Sequence, residues 1–312
     1  MSSRLVFMGT PDFAVPILVS LLHSPYDVVA AYTQPDKQAG RGRKVVAPPV
    51  KKVAVENNIP VIQPETLKSA EAIDRMADFK PALIIVAAFG YILPREILSL
   101  PEFGCLNVHP SLLPRHRGPS PIAHTILCGD RTAGVTIMLV NEKVDSGPIL
   151  ARRAEDVSSE DTTGTLTSRL AIVGAELLEE TLPQWIEGKI KPQPQDESQA
   201  TYSKLIRSEE AKIEWRLPAE ELCRGIRAYN PWPGCYTWWK GKRLKILEAI
   251  PLGDVAEGEV GQVVALPGSV EIGVITKRGV LGLCRVQPEG KRQMAVKDFV
   301  RGRRDFIGAL LA

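Results

Sequence analysis

Asn107-Val-His109 closes an apolar run and opens into Pro110-Ser-Leu-Leu-Pro-Arg-His-Arg-Gly-Pro-Ser-Pro121, a loop held by four prolines. An amide and an imidazole two residues apart, on backbone stiffened in advance, suit acyl transfer. The amide can donate to a developing oxyanion, and the imidazole titrates near neutral pH. A carboxylate that fixes the imidazole would complete the set, and Asp145, in Val144-Asp-Ser-Gly147, is the candidate. Taken alone, the same residues also read as a polar strand end, a proline-rich turn and an ordinary Asp-Ser-Gly turn. The other histidines are weaker candidates: His23 falls at a helix end, His124 on a helix, and His116 between two arginines that disfavour its charged form. No His/Cys/Glu spacing resembles a zinc site, and Gly-x-Ser-x-Gly is absent, so no metal is expected.

The elements that must position these residues follow an α/β pattern. Arg4 to Met8 reads as a strand, Gly9-Thr-Pro-Asp12 as a turn in which Thr10 caps a helix and Pro11 takes its first position, and Val28 to Thr33 as the next strand. A β-α-β opening implies a parallel sheet. Its single glycine lacks the dinucleotide fingerprint, which excludes a strong NAD reading. Ala82-Leu-Ile-Ile-Val-Ala-Ala88 is apolar on both faces and belongs in the middle of such a sheet. Gly104 to His109 is the neighbouring strand, carrying Asn107 and His109 on one face to the carboxyl edge, where open α/β folds bind ligands. Gly134 to Val140 is a further strand before the Asp145 turn, and a long helix with Leu166, Leu170, Leu177 and Leu182 packs across the sheet.

Residues 189–206 carry two prolines and little apolar content, as in an extended linker. They divide an expected catalytic domain, 1–188, from a second domain, 207–312. There a helix near Ala219 to Arg227 precedes short strands separated by glycine turns, the pattern of a small OB-like β-barrel. The expected fold is therefore a Rossmann-like, mostly parallel sheet followed by that barrel.

The 312 residues, 44% of them hydrophobic, suffice for two cores. A net charge of +3 hides an asymmetry: from Ser203 onward 19 Lys and Arg face 13 Asp and Glu, against 20 and 23 before it. A basic surplus in one domain suits a polyanion, although a solvated basic face has the same composition. Gln34-Pro-Asp-Lys-Gln-Ala-Gly-Arg-Gly-Arg-Lys44 gathers four cations in one loop, a mobile surface segment or a basic arm that tracks phosphates. Five scattered cysteines with no CxxC pair, no signal-like start and no apolar run long enough for a bilayer imply reduced thiols in a soluble cytoplasmic protein.

Phe7-Met-Gly-Thr-Pro-Asp-Phe13, Thr33-Gln-Pro-Asp-Lys37 with Gly40-Arg-Gly-Arg-Lys44, the Asn107 to Pro121 stretch, Gly134-Val-Thr-Ile-Met138, Asp145-Ser-Gly147 and Tyr229-Asn-Pro-Trp-Pro233 together resemble the methionyl-tRNA formyltransferase family of 10-formyltetrahydrofolate-dependent enzymes. The resemblance covers essentially the whole chain in order. It implies Asn107, His109 and Asp145 as the catalytic trio. It implies a folate site at Ser111, Leu112, Leu113 and Pro114, against which the strand-end residues Phe89, Gly90, Tyr91, Ile92 and Leu93 supply an apolar slot. Methionyl initiator tRNA is the implied partner, with Lys37, Arg41, Arg43, Lys44, Arg301, Arg303 and Arg304 on its phosphates, and the enzyme is expected to be a monomer. The Asn-x-His, Ser-Leu-Leu-Pro and distant Asp are shared with relatives that act on a nucleotide sugar, another small amine or water, so these motifs fix the chemistry and not the acceptor. A third reading is an RNA-binding protein with a degenerate transferase domain. Tyr229, Trp232 and Trp238 are expected to be buried aromatics.

Overall fold

The computed structural model describes residues 3–39 and 44–312. Two compact units make up the chain: Met1–Pro121, Thr132–Asp156 and Leu166–Lys204 form one, and Ile122–Arg131, Val157–Thr165 and Leu205–Ala312 the other.

In the first unit β1 (Arg4–Gly9), α1 (Ala14–Leu22) and β2 (Asp27–Tyr32) form the expected β-α-β start. After them come β3 (Lys37–Ala39), β4 (Lys44–Val46), α2 (Pro49–Glu56), β5 (Val61–Ile62), α3 (Ala70–Asp78), β6 (Leu83–Ala87), α4 (Arg95–Leu98) and β7 (Cys105–His109). The short α5 (Pro121–Cys128), which after Pro121 belongs to the other unit, leads back to β8 (Thr132–Leu139), β9 (Ile149–Asp156) and the long α6 (Thr163–Ile186), whose residues from Leu166 on are in the first unit. Seven strands pair in the order β5-β2-β1-β6-β7-β8-β9. They are parallel from β5 through β7, whereas β8 and β9 are antiparallel. All five residues of β6 are buried, as its two-faced apolar run requires. Alternation then sorts the side chains. Ile84, Val86 and Cys105 face a core that includes Met76 of α3 and Ile97 of α4. Val108 points to the opposite face, where Gly174 of α6 lets that helix approach it.

Two local readings change. Thr10 caps no helix: α1 starts at Ala14 without a side-chain cap. The Thr10 hydroxyl instead donates to the Phe89 carbonyl and accepts from the Gln34 N–H, so it ties together the ends of three strands adjacent in the sheet, β2, β1 and β6. The basic loop is in part a two-stranded ribbon, β3 paired antiparallel with β4. Its base is fixed by Lys51, which donates to both Asp36 oxygens and to Gln63. That pairing holds the Asp36 carboxyl below the usual carboxylate range, chiefly through the Lys51 bond.

The second unit contains α7 (Ala219–Ala228), β10 (Tyr236–Trp239), β11 (Lys242–Leu252), β12 (Val263–Ala265), β13 (Ile272–Ile275), β14 (Val280–Pro288), β15 (Met294–Ala295) and α8 (Val296–Arg301). The strands pair antiparallel in the order β10-β11-β14-β13-β12, with β15 on β14. The last residues bridge the two edges: Ala312 exchanges backbone bonds with Trp238 on one side, and Ala309 and Leu311 bond Val263 and Gly261 on the other. The sheet thus curls into an OB-like barrel whose edges are capped by the chain's own terminus. Its core gathers Leu244, Ile246, Val274, Leu281, Leu283 and Phe299 with Leu222 and Ile226 of α7. Trp232 and Trp238, both expected to be buried, are 63% and 36% exposed: the first lies in the turn after α7, and the second on the outer side of the edge strand β10.

Candidate active site

The residues that could do chemistry lie over the carboxyl-end half of β7, whose last residue is His109. Register explains this. Val86 of β6, Asn107 of β7 and Met138 of β8 are direct cross-strand partners, so their side chains rise side by side. All three line a cavity of about 120 Å³, together with Tyr91, Ile92, Leu93, Val140 and the turn Asn141-Glu-Lys-Val-Asp145. Because β8 is antiparallel, its end lies level with the start of β7, and the turn that follows must fold back over the sheet to bring Asp145 above Asn107. Gly147 makes this possible. A Cβ there would lie 1.8 Å from the Leu139 carbonyl oxygen, so only glycine allows the close approach. Gly147→Ala is expected to destabilise the protein by roughly 1–3 kcal/mol and to displace Asp145; thermal unfolding and the transfer rate check it together.

Asp145 has φ of 47°, a left-handed conformation that Asp tolerates better than most residues. Its Oδ2 accepts the Gly118 N–H at 2.8 Å and its Oδ1 the Asn107 Nδ2 at 3.3 Å. The same Oδ1 lies 3.7 Å from His109 Nδ1, an ion-pair distance and too long for a hydrogen bond. His109 is only 4% exposed. Its Nε2 lies 3.2 Å from the His116 carbonyl, and since a carbonyl only accepts, Nε2 carries a hydrogen. The nitrogen left to take or give a proton is Nδ1, the one facing Asp145.

The structure thus brings Asn107, His109 and Asp145 together, with Asn107 and Asp145 on the cavity wall and His109 behind them. Tyr91, Ile92 and Leu93 line the cavity. Phe89 is buried beneath, edge-on to Tyr91 at 5.2 Å. Gly90 turns the chain at φ 87°, where a Cβ would meet Gln34. Ser111 to Pro114 sit deeper than a contact segment. Ser111 donates to the Arg115 carbonyl, and the Leu113 N–H donates to Thr136, whose hydroxyl in turn donates to the Ser111 carbonyl. Leu113 packs with Met138, so it supports the cavity wall from behind. Sequence reasoning missed Val86, Met138, Val140 and Val144 at the cavity. The first two were reachable from the cross-strand register of Asn107, the others only from the fold-back of the turn.

Lys37 is exposed and donates to Gln34 on the ribbon, Lys44 begins β4, and Arg41 and Arg43 lie outside the described residues. Arg301 and Arg304 are exposed, while Arg303 lies over the Phe299 ring at 4.6 Å. Arg303 also borders a concavity of about 230 Å³ in the second unit, lined by Lys240, Lys242, Arg243 and Lys291. None of these four was singled out by sequence, because lysines and arginines spread over β10 to β14 converge only when the barrel curls.

Among the described residues no cluster of three or more His, Cys, Asp or Glu side chains is placed to hold a metal ion, and no helix is long and apolar enough to cross a membrane. A tetrahydrofolate ring asks for an apolar slot with a few polar groups. The cavity's Val86, Leu93, Met138 and Val140 walls with Asn107 at one end match that donor set. Its volume suits part of a flat heterocycle, and Ile92, 66% exposed, and Val144, 52% exposed, offer apolar surface at the mouth for the remainder.

The family model described as formyl transferase matches residues 3–182, and that of the formyl transferase C-terminal domain matches 205–304. A methionyl-tRNA formyltransferase of Bacillus pumilus is 45% identical over 311 residues, covering 99% of this chain and 98% of its own. Among solved structures, HypX of Aquifex aeolicus in complex with tetrahydrofolic acid matches 96% of this chain with a TM-score of 0.65 at 18% identity. This chain spans only about half of HypX, 47% of its length. WlaRD, a sugar 3N-formyl transferase, matches at TM-score 0.65 and 18% identity over 94% of this chain and all of its own. The low identities of these two speak for the fold alone. The full-length identity to curated relatives and the two family models, matched in order, assign the acceptor class as well: the chain belongs to the methionyl-tRNA formyltransferase family.

Proposed function

We propose that the cavity over β7 is where the formyl group of 10-formyltetrahydrofolate passes to the α-amino group of methionyl initiator tRNA, giving N-formylmethionyl-tRNA and tetrahydrofolate for translation initiation. The observation that carries the assignment to this cavity is the convergence of an amide, an imidazole and a carboxylate on one apolar slot. Attack of the amine on the formyl carbon places negative charge on the formyl oxygen. Asn107 Nδ2 has a second hydrogen beyond the one aimed at Asp145, and a single such donor is worth several kcal/mol at the transition state. The attacking amine must lose a proton and the leaving nitrogen must gain one. With Nε2–H engaged by the His116 carbonyl, His109 relays that proton through Nδ1, directly or through water, with Asp145 balancing the charge. The donor's ring lies between Tyr91 to Leu93 and Met138 to Val140, on a wall supported by Ser111 to Pro114.

The acceptor strand is a polyanion, and the ribbon that carries Lys37 and Lys44, with Arg41 and Arg43 between them, supplies cations close in sequence to the β1 and β2 strand ends. In the second unit Arg301, Arg303 and Arg304 act with the concavity of Lys240, Lys242, Arg243 and Lys291 on further phosphates. The enzyme works as a cytoplasmic monomer in this reading.

A transfer assay with labelled formyl donor tests the function. Label is expected on methionyl-tRNA and not on free methionine or uncharged tRNA; label on a free amine at equal rate would move the chain to the small-amine relatives. Deleting residues 37–44 is expected to raise the KM for tRNA by at least about tenfold, the loss of several phosphate contacts, while calorimetry shows folate binding unchanged.

A further inference from the structure

Arg117 is a charged side chain in the interior of a polar loop, 1% exposed, and no step of the transfer uses it. Burying a guanidinium is costly unless every donor is matched. Here all five N–H groups are. Nε and Nη2 donate to Gln195 Oε1 at 3.1 and 2.9 Å, Nη1 and Nη2 to the Glu197 oxygens at 3.0 and 2.8 Å, and Nη1 also to the Tyr202 hydroxyl at 3.2 Å. The bonds Arg117 donates to Glu197, and secondarily that to Tyr202, raise the Arg117 pKa further, and the same Arg117–Glu197 bonds hold the Glu197 carboxyl below its usual range. All three partners lie on the segment 189–206 expected to be a linker. That segment bonds β9 at Gln193 and then runs along the proline loop: Arg117 N–H donates to the Thr201 carbonyl, Ser203 N–H to the Arg117 carbonyl, and His116 N–H to the Thr201 hydroxyl.

The strap reaches both chemical side chains. Gln195 uses its two amide hydrogens on the carbonyls of Asp145 and Gly147, at 2.9 and 2.8 Å, which fixes the turn that carries the carboxylate. On the other side, the residues flanking Arg117 touch the site directly. His116 offers the carbonyl that orients His109, and Gly118 the N–H that holds Asp145 Oδ2. One guanidinium therefore joins the loop that aims the imidazole to the turn that carries its carboxylate, through a single glutamine. Stability does not require this. Glu197 is largely exposed, and such an ion pair contributes little; apolar packing would serve as well. What the fork supplies is geometry, since five directed donors fix relative position in a way a point charge cannot.

We propose that Arg117 and Gln195 are positioning residues of the transfer site, which set the His109–Asp145 distance by tying the proline loop to the Asp145 turn. The proposal rests on the assignment of His109 and Asp145 to the chemistry. Misplacement of a reacting group by about 1 Å can cost on the order of 10²-fold. Gln195→Leu and Arg117→Lys are therefore each expected to lower kcat by about 10- to 100-fold with the KM of both substrates within about threefold. Gln195 is partly exposed, so its variant folds even if the buried Arg117→Lys does not. A double-mutant cycle with Asp145→Asn separates positioning from general damage. Once the carboxylate is neutralised, Gln195→Leu should cost less than about twofold more. An unchanged kcat in Gln195→Leu, or an equal loss with and without the carboxylate, would overturn the proposal. Asp145→Asn with wild-type kcat would instead remove the parent assignment, so the two failures are distinct.

Discussion

Replacing His109 by alanine is expected to lower kcat for formyl transfer by about 10²–10⁴, the range for loss of a positioned acid–base group, with folate affinity largely kept. The size follows from what the ring does that water cannot. Its Nε2–H is committed to the His116 carbonyl, so Nδ1 is held toward Asp145 in one orientation before substrate arrives. The expected sparing of folate binding follows from burial, because His109 stands behind the wall formed by Asn107, Met138 and Tyr91 and is not part of it. Single-turnover rates at saturating donor and methionyl-tRNA measure the chemical step, and calorimetric titration with tetrahydrofolate measures the other half. A kcat within about threefold of the parent enzyme would leave the imidazole without a chemical role. Weakened folate binding with an intact rate at saturation would make it a structural histidine of the cavity. His109→Gln serves as the packing control, since it fills most of the ring's space but relays no proton.

The order of elements was legible because each carries its own period. Leu83 to Ala87, apolar on both faces, could be little but a central strand, and the leucines of α6 could only cover a sheet. Asn107 and His109 were legible as a pair, since alternation puts both on one face whatever the partner strand. The direction of β8 was not legible, and it decides how Asp145 reaches the site: an antiparallel β8 ends level with the start of β7, so the turn that follows must fold back over the sheet face toward the carboxyl end of β7. The role of 189–206 was hidden for a related reason. Low apolar content describes a free linker and a strap held by hydrogen bonds equally well, and the bonds of Gln195 and Thr201 depend on partners some 50 to 85 residues away. In the barrel, the closing contacts of Ala309 to Ala312 are mostly backbone bonds, which leave no mark in side-chain pattern; Leu311 in the core and the Thr237 hydroxyl on the Ala312 carbonyl add a side-chain part.

Asp145→Asn should cost nearly as much as loss of the imidazole, about 10²–10⁴ in kcat, by analogy with the loss of orientation and charge at other imidazole–carboxylate pairs. The substitution changes almost no volume. The Gly118 N–H and Asn107 Nδ2 donate to the carboxylate at 2.8 and 3.3 Å, and an amide can satisfy only one of them with its single oxygen. The nitrogen that replaces the other oxygen is a donor. If it faces Asn107 Nδ2 and His109 Nδ1, two donors meet, and the Asn107 amide rotates away from the position it needs for the oxyanion. If it faces Gly118, the loop that carries the His116 carbonyl loses its tie, and His109 loses its reference. Charge adds to geometry: at the 3.7 Å separation of Asp145 and His109 Nδ1, an imidazolium gains on the order of 4 kcal/mol of Coulomb energy before desolvation is counted, for an effective dielectric of about 20. Either rotamer of the asparagine forfeits this term, so the loss in kcat is expected without a matching change in folate affinity. Measured beside His109→Ala and the double variant, the two losses should be far from additive, since each removes the same working unit. Additive losses would mean that Asp145 acts on Asn107 or on the turn alone, and that the imidazole works without its carboxylate.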